Sequence, residues 1–162
     1  MSTVGEGQVA LRPLVDADLD AVFAQMSDAE SVRMAAFTAP DPSDRGRFDA
    51  HKTKVMTSPD STLLAITRDG ALVGTLGSWV EEGRREVTYW VDRAVWGTGV
   101  ASRALALFLE AEPSRPVYAR AASDNVGSLR VLERNGFHVI GTEVAFAPGR
   151  GHEIEETVLR LD

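Results

Sequence analysis

An α/β (α+β) chain, with strands and helices mixed along its length, is the class the sequence predicts, and three observations predict it. Short β-branched and aromatic runs bounded by turn residues recur through the middle, as at Val87-Thr88-Tyr89-Trp90-Val91. Helix-forming runs alternate with them, as at Ala101 and Arg103 to Leu107. Glycine turns join the two kinds, most visibly at Gly97-Thr98-Gly99. The 162 residues suffice for one domain with a core, and an apolar share of 44% makes the chain globular. We expect a single domain over 1–162, with 1–7 as a flexible N-terminus.

Taken in order, Val9 to Leu14 reads as a first strand, and Asp16 and Asp18 open a helix through Ala21, Val22, Phe23 and Met26. Met34 to Asp44 is rich in proline and small residues and reads as a loop; Arg47 to Met56 reads as a second helix. Thr62 to Ile66 and Ala71 to Val80 are strands joined by Arg68-Asp69-Gly70, a hairpin signal. Glu81 to Arg85 turns the chain into the strand that starts at Glu86, and the helix after the glycine turn ends near Glu112-Pro113. Pro116 to Ala121 is the next strand, a helix follows from Asn125, and Val139 to Phe146 with Glu153 to Leu161 form a last hairpin across Pro148 to Gly151. The order is βααβββαβαββ. No linker, repeat or low-complexity segment interrupts it.

Composition removes several functions. The chain has no cysteine, so neither a disulfide nor a thiolate nucleophile is available. A net charge of −7 argues against nucleic acid as ligand and is compatible with a cationic amine substrate. The first residues lack a basic stretch followed by an apolar run, and no stretch approaches a membrane span in length. The expectation is a soluble, cytoplasmic protein with no membrane partner. His51, His138 and His152 are scattered and form no ligand spacing, so no metal is expected.

The strand, glycine turn and helix over Glu86 to Leu105 carry the chemistry. Gly97 and Gly99 let the backbone turn sharply and approach a ligand closely. A helix that begins at such a turn points free N–H groups and the positive end of its dipole into it, which favours a phosphate or pyrophosphate. Two nucleotide alternatives fail. A Walker loop closes on Gly-Lys-Ser/Thr, whereas Gly99 is followed by Val100 and Ala101. A dinucleotide fingerprint needs a third glycine, which is Ser102 here, and a ribose-binding acid about twenty residues on, where Val117 to Ala119 stand. A Gly-x-Gly turn alone is also compatible with a plain connection.

A second segment, Asp124 to His138, reads as a short helix. Asp124 or Asn125 can cap it, Leu129 and Leu132 give it an apolar side, and Asn135-Gly136 ends it. With both segments in view the chain resembles the GNAT superfamily of N-acetyltransferases, and within it the RimJ/RimL-like branch that acetylates ribosomal-protein N-termini. Glu86 to Val91 resembles that branch's "A-E-I-G-Y-W-V" strand, and Trp96-Gly97-Thr98-Gly99-Val100-Ala101 its "W-G-K-G-I-A" form of the superfamily loop. Asn125 to Phe137 resembles "N-x-x-S-x-x-V-L-E-K-x-G-F", and the opening Leu11 to Leu14 with Asp18 to Asp20 fits as well. One departure bears on mechanism: a tyrosine that many members carry four residues before the Gly-Phe is Leu132 here.

The resemblance implies a mixed, mostly antiparallel central sheet of about seven strands flanked by about four helices. It implies acetyl transfer from acetyl-CoA, as cosubstrate, to an amine: a protein N-terminus or a small molecule. It places the pyrophosphate on Trp96, Gly97, Thr98, Gly99, Val100, Ala101 and Ser102. It also implies a bulge that splays the strand at its end, with the backbone of Trp90, Val91 and Asp92 pairing with the pantetheine arm, and Asn125 and Ser128 beside the thiol. Only a neutral amine attacks a thioester, so a base is needed. Glu86 is the first choice, with Glu81 and Glu82 behind it. Glu86 is also compatible with an ordinary surface pair, for instance to Arg84. Ser128 is the candidate donor to the departing sulfur, although a helix serine often bonds its own backbone. A monomer or homodimer is expected. A catalytically weak acyl-CoA-binding module is the competing reading.

Overall fold

The structure, a computed structural model, describes residues 7–162. The expectation for 1–7 lies, but for Gly7, outside the described residues. Among the described residues seven strands form one sheet in the order β1-β2-β3-β4-β5-β7-β6. They are β1 (Val9–Pro13), β2 (Ser61–Arg68), β3 (Ala71–Glu81), β4 (Arg84–Val91), β5 (Val117–Ala122), β6 (His138–Ala147) and β7 (His152–Leu161). Every neighbouring pair is antiparallel except β4 with β5. Both early hairpins turn on two residues of positive φ: Asp69 (52°) with Gly70 (83°), and Glu82 (51°) with Gly83 (77°). That is the backbone a two-residue antiparallel loop needs.

Among the described residues five α-helices occur where about four were expected: α1 (Leu19–Met26), α2 (Ala29–Ala35), α3 (Arg45–Thr57), α4 (Val100–Ala111) and α5 (Val126–Arg134). The addition is α2, whose start Asp28 caps by accepting from the Ser31 amide at 3.1 Å. It cuts into the segment expected to be loop from Met34. Ahead of α1, Asp16–Asp18 forms a single 3₁₀ turn rather than helix proper.

Helices cover both faces of the sheet. On one, α4 and α5 pack Val100, Ala104, Leu105, Phe108 and Leu132 against Ile66, Leu76, Val87, Val117, Ala119 and Leu159. On the other, α1 and α3 enclose Val22, Phe48 and Met56 with Ala65 and Leu72. A separate small cluster, Ala36, Ala122 and Ala147 with Phe37 and Ile154, holds the end of α2 against β5, β6 and β7. The alanines matter there: small side chains let the chain after α2 approach closely, and a Cβ on Gly149 would lie 2.5 Å from the Val32 carbonyl.

What positions the site is the parallel pairing of β4 with β5. β4 and β5 pair at only Arg85↔Val117 and Glu86↔Tyr118, although both strands run on for several residues. Beyond Glu86 they part and open the sheet from edge to interior.

Candidate active site

The opening between β4 and β5 is a cavity of about 220 Å³ that passes through the sheet. Strand alternation assigns its walls. On the α4/α5 side stand Val87, Tyr89, Ala119 and Ala121, joined by Asn125, Ser128 and Leu132 from α5. On the opposite side stand Glu86, Thr88, Trp90, Arg120 and Glu156, with Phe37 and Trp79. A molecule lying in this gap can present one end to each face.

The expected splay is therefore present, but it does not come from a bulge in β4, and that expectation is corrected. β3 and β4 stay in continuous register from Glu81↔Arg84 to Gly74↔Val91. The register shifts lie instead between β2 and β3, at Ile66/Thr67, and between β6 and β7, at Val139/Gly141. Divergence needs no bulge where a pairing extends over so few residues, because strand twist alone carries the ends apart. Gly74 keeps β3 close to β4 there: a Cβ would sit 2.2 Å from the Trp90 carbonyl oxygen.

The backbone expected to receive a pantetheine arm is partly engaged. The Asp92 amide donates to the Val73 carbonyl at 2.7 Å, and the Trp96 indole donates to the Val91 carbonyl at 3.2 Å. Trp90 turns its indole N–H to the Gln25 carbonyl at 3.1 Å, tying β4 to α1.

Just beyond Trp96 the glycine turn has the expected form. Gly97 (φ 75°) and Gly99 (φ 85°) are left-handed, and nothing lies within 4 Å of a Cβ built on either. Gly99 is the N-cap of α4 and offers no side chain to its first amides. By contrast α2, α3 and α5 each start under a side-chain oxygen, from Asp28, Asp44 and Asn125. Bare N–H groups behind an open, Cβ-free turn fit a pyrophosphate. Thr98 bonds its own turn, donating to the Val95 carbonyl at 2.5 Å. Ser102 faces α5, where the Asn135 amide donates to its hydroxyl and its carbonyl at 3.3 Å.

At the start of α5, Asn125 rather than Asp124 is the cap, accepting from the Ser128 amide at 3.2 Å. Asp124 instead forks onto Arg150 at 2.8 and 2.9 Å, and Arg150 also donates to the Arg33 carbonyl at 2.6 Å. Arg150 thus clamps the β6–β7 turn to α2 and to α5. The Ser128 hydroxyl does not turn back on its helix; it meets the Tyr89 hydroxyl at 2.8 Å. Leu132, fully buried, is an apolar wall of the same cavity.

Across the sheet, Glu86 does not pair with Arg84, which stacks over the Tyr118 ring at 4.8 Å. Its partner is Arg120, at 3.5 Å. Arg120 also meets Glu156 at 3.5 Å and Glu143 at 2.7 Å, so its short contact is with the most exposed of the three carboxylates. Three acids to one arginine leave this side of the cavity negative. Glu156 is buried enough that its carboxyl is pushed above the ordinary glutamate range, and Glu143 and Glu86 add to the push against the opposing pull of Arg120. Glu81 and Glu82 are exposed, at the far end of β3 and in the turn after it, and do not line the cavity.

Sequence reasoning missed Tyr89, Arg120 and Glu156. The first sits on the apolar face of its strand by alternation; the other two come from strands that sequence distance separates from Glu86. Among the described residues no group of His, Cys, Asp and Glu is arranged to hold a metal, and no helix is long and apolar enough to cross a membrane.

The model of the acetyltransferase (GNAT) domain family matches residues 8–138. No curated protein matches the chain by sequence. Solved structures share its fold. RimJ of Mycobacterium smegmatis, in complex with a CoA disulfide, is 21% identical with a TM-score of 0.81 over 97% of this chain and 83% of that one. RimL, a ribosomal alpha-N-protein acetyltransferase in complex with coenzyme A, is 16% identical with a TM-score of 0.77 over 95% and 94%. The spermidine N-acetyltransferase of Vibrio cholerae, in complex with CoA and spermine, is 16% identical with a TM-score of 0.78 over 94% and 95%. With more than three quarters of its length matched by the family model, and the seven-stranded sheet parted between β4 and β5, the chain belongs to the GNAT acetyltransferase family.

Proposed function

We propose that this protein transfers the acetyl group of acetyl-CoA to a primary amine, a protein N-terminus or a small molecule, by direct attack within a ternary complex. The observation that carries the reading is the cavity through the sheet, with α5 on one side and carboxylates on the other; the open glycine turn that starts α4 follows the same strand, β4. Acetyl-CoA supplies an activated thioester. Gly97 to Ser102 hold its phosphates, the edge of β4 at Trp90, Val91 and Asp92 lies along its arm, and Asn125 and Ser128 stand beside its sulfur.

The carboxylate face draws in a cationic amine. A lysine amine titrates near ~10.4 and an α-amine near ~8, so either arrives largely protonated. Glu86 takes that proton, directly or through one water, and Arg120 holds the carboxylate in the cavity wall. Attack then forms the C–N bond and breaks the C–S bond, and the second proton shed by the nitrogen passes to solvent. The departing thiolate, near pKa ~8.5 by analogy with cysteine, leaves readily and needs only a hydrogen bond, which Ser128 donates. Glu156 offers a second reading of the base, favoured by its raised carboxyl in the same cavity.

Thiol release from acetyl-CoA with a panel of peptides and small amines tests the function. Amine-dependent release supports it; binding of acetyl-CoA with no release by any amine points to a binding module instead. Within an active protein, Glu86→Gln is expected to keep acetyl-CoA affinity and lower turnover about 10²–10⁴-fold near pH 7, with a smaller loss at high pH. If Glu86→Gln is near normal while Glu156→Gln shows that loss, the base is Glu156.

A further inference from the structure

Resting on that acetyl-transfer reading, we propose that Tyr89 is a positioning residue that aims the Ser128 hydroxyl proton at the departing sulfur. A serine within a helix ordinarily donates to the carbonyl one turn back, where its proton is spent. Here the Ser128 hydroxyl oxygen lies 2.8 Å from the Tyr89 hydroxyl, and the same phenol lies 3.1 Å from the Ser128 carbonyl. Both residues line the cavity.

The two distances give the phenol proton two acceptors. When it goes to the carbonyl, the serine can donate to the phenol oxygen, and the site rests with every donor used. When it goes to the serine oxygen, that oxygen has accepted its bond, and its own proton turns into the cavity. A thiolate arriving there is the stronger acceptor and draws the pair into the second arrangement.

Tyr89 acts as a hydrogen-bond donor and not as the acid. Burial pushes its phenol up to about 12, against the opposing hydrogen bond from Ser128. A thiolate, the base of a thiol near pKa ~8.5, therefore does not take its proton, and no bond to hydrogen is broken at Tyr89. The residue comes from β4, on the strand face opposite Glu86. The parting of β4 from β5 brings that face to the sulfur end of the cavity, beside the position where Leu132 provides no hydroxyl.

Tyr89→Phe keeps the ring and removes only the hydroxyl. It is expected to lower kcat about tenfold, to leave KM for acetyl-CoA unchanged, and to match Ser128→Ala. The double variant should be no slower than Ser128→Ala alone, because the tyrosine acts through the serine. Wild-type kcat in Tyr89→Phe, or losses that multiply in the double variant, would overturn the proposal. A second readout needs no turnover. Calorimetry with CoA at pH 7 and pH 10 should show tighter binding at pH 10 in the wild type, where the thiol is ionised, and little or no such gain in Tyr89→Phe and Ser128→Ala. An equal gain in all three proteins also overturns it. A wild type inactive with every amine that still shows the difference in this second arm refutes the acetyl-transfer reading and leaves the Tyr89–Ser128 coupling standing.

Discussion

Two helices of the candidate site, α4 and α5, begin in opposite ways. α4 starts at Gly99, left-handed and without a side chain, so its first amides are bare. α5 starts under Asn125, whose amide oxygen takes the Ser128 N–H at 3.2 Å. A capped start is a finished piece of structure, with its orphan donors satisfied locally. A bare start is stable enough only because the rest of α4 is well buried, through Val100, Ala104, Leu105 and Phe108. The difference separates two tasks. The bare end offers backbone and dipole to an anion; the capped end fixes a helix so that one side chain, Ser128, is held to Tyr89.

Replacing Gly99 should break the comparison most visibly. Gly99→Val places a branched side chain in the open turn and forces it to φ 85°. Acetyl-CoA affinity measured by calorimetry is expected to fall well beyond tenfold, about 1.4 kcal/mol or more. Gly136→Ala is the control, since Gly136 is equally left-handed (φ 92°) at the other end of α5, with Leu161 at 3.1 Å from its Cβ. It should lower the melting temperature and leave acetyl-CoA affinity alone. Equal losses of affinity in both would mean that strain, not the open turn, sets binding.

At the capped end, Asn125→Ala removes the cap and should cost about 1 kcal/mol of stability, about 2–4 °C in melting temperature for a chain of this size. Thermal unfolding in the absence of acetyl-CoA measures it, and an unchanged melting temperature would make the two starts energetically alike.

The smallest effect belongs to a third start, the turn before α1. Asp18 accepts the Val15 amide at 2.9 Å and the two arms of Arg12 at 2.8 Å. The Arg12 hydrogen bonds hold its carboxyl below the ordinary 3.8. In the unfolded chain it returns to that ordinary value. The stabilisation is therefore complete above the ordinary value and is lost as pH falls through the lowered one. Because Arg12 is 41% exposed, solvent screens the pair and keeps the contribution small. Asp18→Asn should lower the melting temperature slightly at pH 7, and the gap to wild type should close on acidification toward the lowered value.

Much of this was legible in the chain itself. The element order, both early hairpins and the glycine turn follow from local turn chemistry and from patterns of apolar residues, which a single strand or helix displays by itself. α2 was not legible because seven residues give too little periodicity, and its evidence is one cap, Asp28. The open turn was legible where one segment makes it, at Gly97 and Gly99. The site was not legible where several segments meet. Arg120 reaches Glu86 from 34 residues away, and Glu156 reaches the same guanidinium from the last strand. Tyr89 was hidden by the alternation that exposed Glu86: the rule assigns it to the apolar face, and only the parting of β4 from β5 returns it to the cavity.

Amide hydrogen exchange at the two helix starts, with and without acetyl-CoA, tests the central claim most directly. The amides of Val100, Ala101 and Ser102 are expected to exchange rapidly in the free protein and to slow at least tenfold on addition of acetyl-CoA, while the capped Ser128 amide, already bonded to Asn125, changes little. Exchange at Val100 to Ser102 that stays fast at saturating acetyl-CoA would contradict the account and place the phosphates elsewhere on the molecule.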